Sequence, residues 1–469
     1  MSPEILVMFK NQGSERLHAY YDALAKNLSV DLQIIISGSC FPGLLRIAIS
    51  QLKYYQLFQY VTDLFKFYRK SKLQLRFDPK TSGIIEDGVD ASSFFIRLSR
   101  VNRTLSTWIY YAVWLTNAFN VKKILHGYKD CLLIVPDELY GFAAIIKFNS
   151  APSNTWICNT SSTDLYCNII NYDSPHQYKY LCRTNFPVLP IFESHDLISK
   201  VDQLYSSVFD NLIDHRDYSL AYADYKPPFS PDYPEKRKKI LVAAHIFKDA
   251  PNSHESGFHG FKHWLYEVLS ALKSHQDKCV IYLKEHPSID IYSEQGVLEG
   301  FLNTLQLNYP VTFISSKYAT KLDDYDLVLT CSGSICYECA YLGVPVMSCS
   351  RSFSSKLSNV IESLSSEDLR SNLNLFLNNP THKICDTELT SYQYKILAQH
   401  LIYRNIANTG LSIGDAKMHA MIQVKEVDID AIAEKFLKAL QGFYEQRNKP
   451  GVTLLSADLS RIEVLECQG

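Results

Sequence analysis

The chain has 469 residues and a formal net charge of −2, with 46% hydrophobic and 20% charged residues. This composition excludes an intrinsically disordered chain, and the charge balance gives no general attraction for nucleic acid. The length is sufficient for two or more domains with separate cores. The most apolar window, residues 108–119, is too short to span a bilayer.

The chain opens with an apolar strand (residues 5–9), a loop that contains Gly13, a helical pattern that ends near residue 28, and a second strand (residues 31–37). This order predicts a βαβ unit of an α/β domain. Gly13 stands alone and does not form the GxGxxG pattern, so no dinucleotide site is predicted here.

A basic and aromatic segment, residues 46–76, follows this unit. It holds seven lysines and arginines and one acid, Asp63, with aromatic residues interleaved. Such a segment is suited to contact an anionic membrane surface or an anionic acceptor, whereas the alternative is a solvated face above a core face. Because the N-terminus shows no secretory signal, the predicted location is the cytoplasm, with peripheral contact to the inner membrane through this segment.

Two carboxylates follow the predicted strand 131–135, in the sequence Pro136-Asp137-Glu138. A carboxylate at the carboxyl end of a parallel strand is well placed to act as a general base. The alternative is a helix N-cap or first-turn acid, for which Asp and Glu are also favoured. Glu138 is the candidate base, and Asp137 is the second choice.

A segment rich in proline and charge, residues 226–238, predicts a linker after an N-terminal domain of residues 1–225. Strands and helices then alternate from residue 239 to about residue 376, which is typical of a second Rossmann-like domain, predicted over residues 239–420. The predicted fold is therefore α/β, with two Rossmann-like domains facing an interdomain cleft. Residues 421–469 are predicted to hold an amphipathic helix and, from residue 450, a weakly structured tail. The predicted elements of the second domain include strands 240–244, 279–283, 311–314 and 327–330 and helices 261–273 and 292–305.

Polar side chains follow two strands of this second domain. His245 and Asp249 come after its first strand, and His286 and Pro287 come after the strand that ends near Lys284. If the sheet is parallel, these residues share the edge at which such sheets bind ligands. An aspartate so placed is suited to attack a sugar carbon or to accept a proton. The alternative is an aspartate that caps a helix or lies in a loop.

A turn of small residues, Ser332-Gly333-Ser334, joins strand 327–330 to a predicted helix. The N-terminus of a helix presents unpaired N–H groups and a partial positive charge, and small residues let a phosphate approach. Glu338 lies one turn into the helix, within reach of sugar hydroxyls on a bound nucleotide. Many α/β turns of this composition bind no ligand, so the turn alone leaves a purely structural role open.

The histidines near His245 raise the hypothesis of a metal site. His254, His259 and His263 follow it, and the i, i+4 spacing of the last two would let both face one ion. The sequence holds no HExxH motif, and the other ligands would have to come from elsewhere. Histidines that face solvent or substrate are therefore expected, and no metal is predicted.

Twelve cysteines are scattered along the chain without a repeated spacing. In a chain of this length they predict reduced, mostly buried thiols in a cytosolic protein. Cys336 and Cys339 form a lone CxxC pair inside the predicted helix, and no second pair exists that would complete a zinc site. The expectation is that these two thiols pack in a core and do not form a redox pair.

The motifs of the second domain together suggest a family. Lys284-Glu285-His286-Pro287 resembles the His-Pro motif of bacterial transferases that use CMP-sugars, and Ser332-Gly333-Ser334 resembles their Ser-rich motif for the CMP phosphate. Segment 326–346 resembles capsule-polysaccharide biosynthesis proteins. Segment 245–250 resembles the matching part of retaining β-Kdo transferases of capsule and O-antigen assembly. The chain as a whole resembles a GT-B glycosyltransferase, by motif in the second domain and by architecture alone in the first.

The resemblance implies an enzyme that transfers a 2-keto sugar acid, Kdo, from CMP-Kdo to a surface polysaccharide or glycolipid such as lipopolysaccharide. The implied acceptor is an oligosaccharide or a lipid-linked sugar that the N-terminal domain binds. The donor is a substrate, and no further cofactor is implied. Asp249 is implied to form a covalent glycosyl intermediate, with Glu138 or His245 as the base. The implied nucleotide-sugar-binding residues are Lys284, His286, Pro287, Ser332, Gly333, Ser334 and Glu338.

Three other functions stay open at this point. The first is an inverting transferase for CMP-activated sialic, legionaminic or pseudaminic acid. The second is a CDP-glycerol glycerophosphotransferase, which would share the cytidine nucleotide. The third is a carbohydrate-binding scaffold without catalysis, against which the acidic candidates Asp249 and Glu138 argue.

Overall fold

The computed structural model describes most of the second half of the chain and, elsewhere, the strands and a few helical residues. The chain forms two compact units, one of residues 1–186, 406–411 and 424–463 and the other of residues 187–405, 412–423 and 464–469. Residues 226–236 of the predicted linker lie outside the described residues. The described residues are 237–247, 256–258, 260–287, 289, 294–316, 320–378, 385–386 and 388–407, the seventeen strands given below, and residues 22, 25–26, 199, 201–202 and 205.

The strands and helices of the described residues are numbered in chain order. The strands are β1 (Ile5–Lys10), β2 (Asp31–Ile36), β3 (Arg76–Asp78), β4 (Gly83–Glu86), β5 (Val89–Asp90), β6 (Cys131–Val135), β7 (Thr155–Thr160), β8 (Tyr166–Asn171), β9 (Lys238–Ala243), β10 (Cys279–Lys284), β11 (Thr312–Ile314), β12 (Leu327–Thr330), β13 (Val346–Ser348), β14 (Val360–Glu362), β15 (Ile422–Val424), β16 (Gly451–Ala457) and β17 (Ile462–Val464). The helices are α1 (Phe261–Lys273), α2 (Val297–Leu305), α3 (Ile335–Tyr341), α4 (Ser366–Asn378) and α5 (Ser391–Ala407), with 3-10 turns at Leu322–Asp324 and Phe353–Lys356.

The first unit is built on a six-stranded sheet in the order β16-β8-β7-β6-β1-β2. Strands β2, β1, β6 and β7 run parallel, whereas β8 and β16 are antiparallel to their neighbours. Strands β3, β4 and β5 form a small antiparallel sheet, and β15 pairs with β17. The four parallel strands are the Rossmann-like part of this unit.

The sequence pattern predicted a weakly structured tail from residue 450, and this prediction was wrong. Residues 451–457 form β16, which pairs antiparallel with β8 at the edge of the first sheet. The partner residues, 166–171, lie almost three hundred positions earlier in the chain. A short strand whose only ordering partner is so distant leaves no local periodicity from which it could be recognised.

The second unit is built on a six-stranded, fully parallel sheet in the order β11-β10-β9-β12-β13-β14. Counted along the chain, its strands are ordered 3-2-1-4-5-6, which is the Rossmann arrangement. The α/β class with Rossmann-like sheets is therefore confirmed. The second strand counted in this way, β10, is buried along its whole length, as is the fourth, β12, which is why both are continuous apolar runs in the sequence.

Helix α1 shows how the sequence builds the core of this unit. Its apolar residues recur every three or four positions, so they form one stripe along the helix. Trp264, on this stripe, is 2% exposed. The stripe and the buried residues of α4 pack in one core with the strands. The buried residues of α1 are Phe261, Trp264, Leu265, Val268, Leu269, Ala271 and Leu272.

Helix α2 begins later than the sequence pattern predicted. The expected helix was 292–305, whereas the observed helix starts at Val297. Gly296 precedes it with a left-handed backbone (φ +71°), a conformation that glycine adopts without strain and that stops a helix from extending backwards. Glu294, before this glycine, is therefore part of a connection and not of the helix.

Candidate active site

Three predicted site residues emerge at the same level from three neighbouring strands. The registers of β9 with β10 and with β12 place Ala243, Lys284 and Thr330 side by side. His245, His286 and Ser332 each lie two residues beyond these positions. Adjacent strands are about 4.8 Å apart, and the rings of His245 and His286 have centroids 5.5 Å apart. The expectation that these motifs share one sheet edge is confirmed.

This edge includes the point at which the order of the strands reverses. Strand β9 lies between β10 and β12, so the chain leaves β9 in one direction to build β10 and β11 and later returns to build β12, β13 and β14. Loops on either side of such a point diverge, which opens a crevice at the carboxyl ends of the strands. The order reverses between β9 and β12. His245 follows β9, and the turn that begins at Ser332 follows β12.

The turn between β12 and α3 is fixed by hydroxyl groups. The Oγ atoms of Ser348 and Ser350 donate to the carbonyl of Cys331, at 2.9 Å and 2.6 Å. Thr330 Oγ1 donates to the carbonyl of Ser332 at 3.3 Å. All three hydroxyl-bearing residues are buried, so these bonds are protected from water and hold the turn firmly. No sequence pattern singles out Ser348 and Ser350, which are small polar residues at the end of β13 and just after it.

Gly333 gives the turn its open shape. Its φ is +117°, a backbone conformation that L-residues rarely adopt, and a side-chain carbon added there would meet no atom within 4 Å. Ser334 occupies the cap position of α3 and makes no side-chain cap bond. The Ser334 carbonyl accepts the N–H of Glu338 at 3.1 Å. The space beside Gly333 is therefore open.

Glu338 lies in the first turn of α3 and is 3% exposed. Ser332 is also buried, whereas Ser334 is half-buried and Gly333 is exposed. The exposed part of the turn is thus its glycine, and the carboxylate lies beneath the surface. The contact of Glu338 with a ribose stays a prediction.

Lys284 and Glu285 tie β10 to the connection that follows β11. The Lys284 ammonium donates to the carbonyl of Ser315 at 2.7 Å, and the Glu285 carboxylate accepts the N–H of Ser316 at 3.1 Å. Both charged residues are buried, and burial of a charge is tolerated when hydrogen bonds satisfy it. The first two residues of the Lys-Glu-His-Pro motif therefore build the edge of the sheet, and His286 and Pro287, both half-buried, lie beyond it.

His245 is held against α1. Its ring stacks on Phe261 at a centroid distance of 4.1 Å, and its Nδ1 lies 3.2 Å from the carbonyl of Ile246. When Nδ1 carries the proton and donates to this carbonyl, Nε2 is the basic nitrogen. The stack and this contact together restrict the orientation of the ring.

Several predicted site residues lie outside the described residues. They include Asp249, the predicted nucleophile, and Glu138, the predicted base, so their roles stay predictions. Asp137, His254, His259 and residues 46–75 also lie outside.

The remaining histidine of the metal hypothesis, His263, is half-buried, and its Nε2 lies 3.8 Å from a carboxylate oxygen of Glu267. Its ring also lies 5.9 Å from that of Phe258, measured between centroids. In the part of the chain that the structure describes, no three His, Cys, Asp or Glu side chains are grouped so that they could hold a metal ion.

The cysteines near the turn are buried thiols that are not part of a disulfide; they are Cys331, Cys336, Cys339 and Cys349. Burial raises the pKa of the Cys336 thiol to about 12, and burial also raises the pKa of Cys331 well above its ordinary value. A reactive cysteine needs the thiolate form, which a raised pKa disfavours. The prediction that Cys336 and Cys339 are packing thiols is confirmed.

Among the residues described above, no helix has the length and apolar content needed to cross a bilayer. The predicted peripheral contact depends on residues 46–76, and of this segment the structure describes only Arg76, which begins β3.

No protein-family model and no curated protein sequence matches the chain. Several solved structures align with it. The β-Kdo 2,4-transferase of Thermosulfurimonas dismutans KpsC is 15% identical over 52% of this chain and 71% of its own, with a TM-score of 0.27. The β-Kdo 2,7-transferase of the same KpsC is 12% identical over 59% and 79%, with a TM-score of 0.31.

The UDP-GlcNAc 2-epimerase of Methanocaldococcus jannaschii aligns more widely, over 85% of this chain and 99% of its own. The identity is 10% and the TM-score is 0.32. Similarity at these levels does not identify a function. The α/β fold is established by the sheet order and the parallel registers of the chain itself.

Proposed function

We propose that the chain is a glycosyltransferase that moves a 2-keto sugar acid, Kdo, from its CMP-activated form to a surface-polysaccharide or glycolipid acceptor. The observation that supports this most is the convergence of His245, His286 and the Ser332–Ser334 turn at the reversal point of a parallel sheet. Nucleotides bind to such sheets at this point. The resemblance of these same motifs to those of CMP-sugar transferases gives the cytidine nucleotide and the sugar class.

The phosphate of the donor would lie over the turn. The backbone from Gly333 to Ile335 would supply N–H donors, since the N–H groups of Cys336, Tyr337 and Glu338 already donate within the turn, and His286 would add an imidazole from the end of β10. Lys284 contributes a positive charge at the end of β10, which lowers the cost of negative charge on the departing CMP. Donors aimed at the oxygen on which charge develops stabilise the transition state more than the ground state. Glu338 would hold the ribose.

The proposed reaction has two displacements. In the first, a carboxylate oxygen of Asp249 forms a bond to the anomeric carbon while the bond from that carbon to the phosphate oxygen breaks, and CMP leaves with the electron pair. In the second, an acceptor hydroxyl loses its proton to Glu138 or His245 and displaces Asp249. Two inversions give net retention. The stacked, oriented ring of His245 supports its candidacy as the base.

The experiment that tests this function uses intact-protein mass spectrometry after incubation with CMP-Kdo. The wild-type protein is expected to gain the mass of one Kdo residue, and Asp249→Asn is expected to gain none, because the amide is a poor nucleophile. Asp323→Asn is the matched control. Asp323 is an exposed residue paired with Lys321 in the 3-10 turn before β12, so this variant should form the adduct as the wild type does.

Other outcomes would replace the proposal. If Asp249→Ala transferred the sugar at the wild-type rate, Asp249 would not be the nucleophile. An inverted anomeric configuration, read by NMR of the product, would favour an inverting transferase for another CMP-activated acid. Thermal stabilisation by CDP-glycerol and not by CMP or CMP-sugars would favour a glycerophosphotransferase, and binding without turnover would favour a scaffold.

A further inference from the structure

A buried carboxylate outside the predicted site residues, that of Glu294, makes a contact with the first loop of the site. The side chain is 4% exposed, and its Oε2 accepts the backbone N–H of Phe247 at 2.9 Å. Phe247 is itself buried, 47 positions earlier in the chain. A hydrogen bond between two buried groups is costly to break, because the groups left without a partner have no water to bond.

Phe247 lies between the two residues that the proposed reaction uses after β9. It follows His245 by two positions and precedes Asp249 by two. Its ring meets Phe301 of α2 edge to face at 5.5 Å, and the Lys262 ammonium of α1 lies 5.3 Å from the ring centroid. The Phe247 backbone is thus held by Glu294 and its ring by two helices.

Glu294 is itself held by backbone hydrogen bonds within the connection between β10 and α2. Its backbone N–H donates to the carbonyl of Ile289 at 3.0 Å, and its own carbonyl accepts the N–H of Val297 at 2.9 Å. This connection includes His286 and Pro287, the second and third residues after β10. The bond from Glu294 to Phe247 therefore joins the loop that carries His286 to the loop that carries His245.

We infer that Glu294 is a positioning residue: by holding the Phe247 N–H, it fixes the backbone that follows His245, two positions before Asp249 in the sequence. The inference rests on the proposed function. A nucleophile displaced by about 1 Å loses on the order of a hundredfold in rate even when substrate binding is intact. Glu294 touches neither nucleotide nor sugar in this account, so its loss should slow the first displacement and leave nucleotide affinity in place.

The test compares Glu294→Ala, Glu294→Gln and Glu294→Asp with the wild type. The rate constant is that of CMP release from CMP-Kdo in a single turnover, which needs no acceptor. The dissociation constant of CMP is measured by calorimetry, and hydrogen exchange is measured at the Phe247 amide. Glutamine keeps an oxygen in place to accept the Phe247 N–H, whereas alanine removes it and aspartate withdraws it by one carbon–carbon bond. The aspartate variant keeps the comparison possible if the alanine variant does not fold.

We expect Glu294→Ala to release CMP about ten- to a hundredfold more slowly, with a CMP dissociation constant within about twofold of the wild type and faster exchange at Phe247. Glu294→Gln should recover most of the rate of CMP release and of the exchange protection at Phe247, and Glu294→Asp should be intermediate.

The inference would be overturned if Glu294→Ala released CMP at the wild-type rate, or if Glu294→Asp did so where the alanine variant does not fold. Equal losses of rate and CMP affinity, or a glutamine variant as slow as alanine, would overturn it as well. A wild-type protein that neither binds CMP nor releases it from CMP-Kdo would instead overturn the proposed function.

Discussion

Gly333 is the residue whose backbone decides the shape of the proposed phosphate site. Its φ of +117° is strained for any residue with a side chain, yet an added carbon would meet no atom within 4 Å. An effect of Gly333→Ala would therefore come from backbone strain and not from a clash within the protein. A substitution at Gly333 therefore tests the backbone conformation of the turn and not the packing of side chains around it.

Gly333→Ala should lower the free energy of unfolding by about 1–3 kcal/mol and weaken CMP binding about tenfold or more, because the turn must shift to relieve the strain. Gly300→Ala is the matched control. Gly300 is an exposed residue of α2, also with no atom within 4 Å of an added carbon, and alanine there should add up to about 1 kcal/mol of stability. Chemical denaturation and calorimetry with CMP measure both. Equal CMP affinity in the two variants would show that the turn does not shape the nucleotide site.

Site residues could be predicted from the sequence where a local pattern marks their position. His245, His286 and the Ser332–Ser334 turn follow apolar runs directly, so their place at strand ends could be predicted. Their supporting residues could not. Ser350 bonds a carbonyl 19 positions away, and Glu294 bonds an N–H 47 positions away, and no local pattern encodes such a partner.

Helix α3, which starts at the turn, is held in place by aromatic contacts. Tyr337 stacks on His400 of α5 with ring centroids 3.6 Å apart and an interplanar angle of 1°. Tyr341 stacks on Tyr205 at 4.7 Å and donates to the carbonyl of Asp202 at 3.4 Å. The Nε2 atom of His400 is inaccessible to solvent and has no hydrogen-bond partner among the residues that the structure describes. Burial lowers the pKa of His400 to about 3.

The low pKa of His400 makes the contact between α3 and α5 sensitive to acid. In the unfolded chain His400 takes up a proton near its ordinary pKa of about 6.5, whereas in the folded chain it stays neutral until about pH 3. The unfolded state therefore binds more protons between these values. The contribution to stability is complete above pH 6.5 and is lost progressively as the pH falls, by about 2 kcal/mol at pH 5.

His400→Phe should flatten this dependence, because phenylalanine keeps a ring against Tyr337 and cannot take up a proton. Melting temperatures measured from pH 7 to pH 5 should fall by less in this variant than in the wild type, since the remaining titrating groups are common to both. Parallel curves for the two proteins would show that His400 is not the group that titrates.

Elements were predictable where burial is continuous. Strands β9, β10 and β12 are apolar runs between polar turns, and α1 shows a helical stripe, so each was found close to its observed limits. β16 was missed because its pairing with β8 is distant in sequence. The start of α2 was placed too early because the effect of Gly296 depends on its backbone angle, which the pattern of apolar residues does not show.

At the scale of the whole molecule, the parallel sheet of the second unit explains why motifs separated by almost ninety residues meet. Parallel strands all end at the same edge. The last residues of β9, β10 and β12 are direct partners in the registers of these strands. The alternation of strands and helices in the sequence predicts this edge. The order of the strands, which puts β9 and β12 side by side, could not be predicted from any single segment, because it depends on how all six strands pair.

The most direct measurement of the central claim is isothermal titration calorimetry of the full chain with CMP, with UMP and AMP as reference nucleotides. If cytidine monophosphate binds where β9, β10 and β12 end, the wild type should bind CMP in preference to UMP and AMP. His286→Ala should weaken CMP binding about tenfold, as loss of one hydrogen bond to a charged group predicts. A wild type that does not bind CMP, or a His286→Ala variant that binds it as tightly as the wild type, would contradict the account.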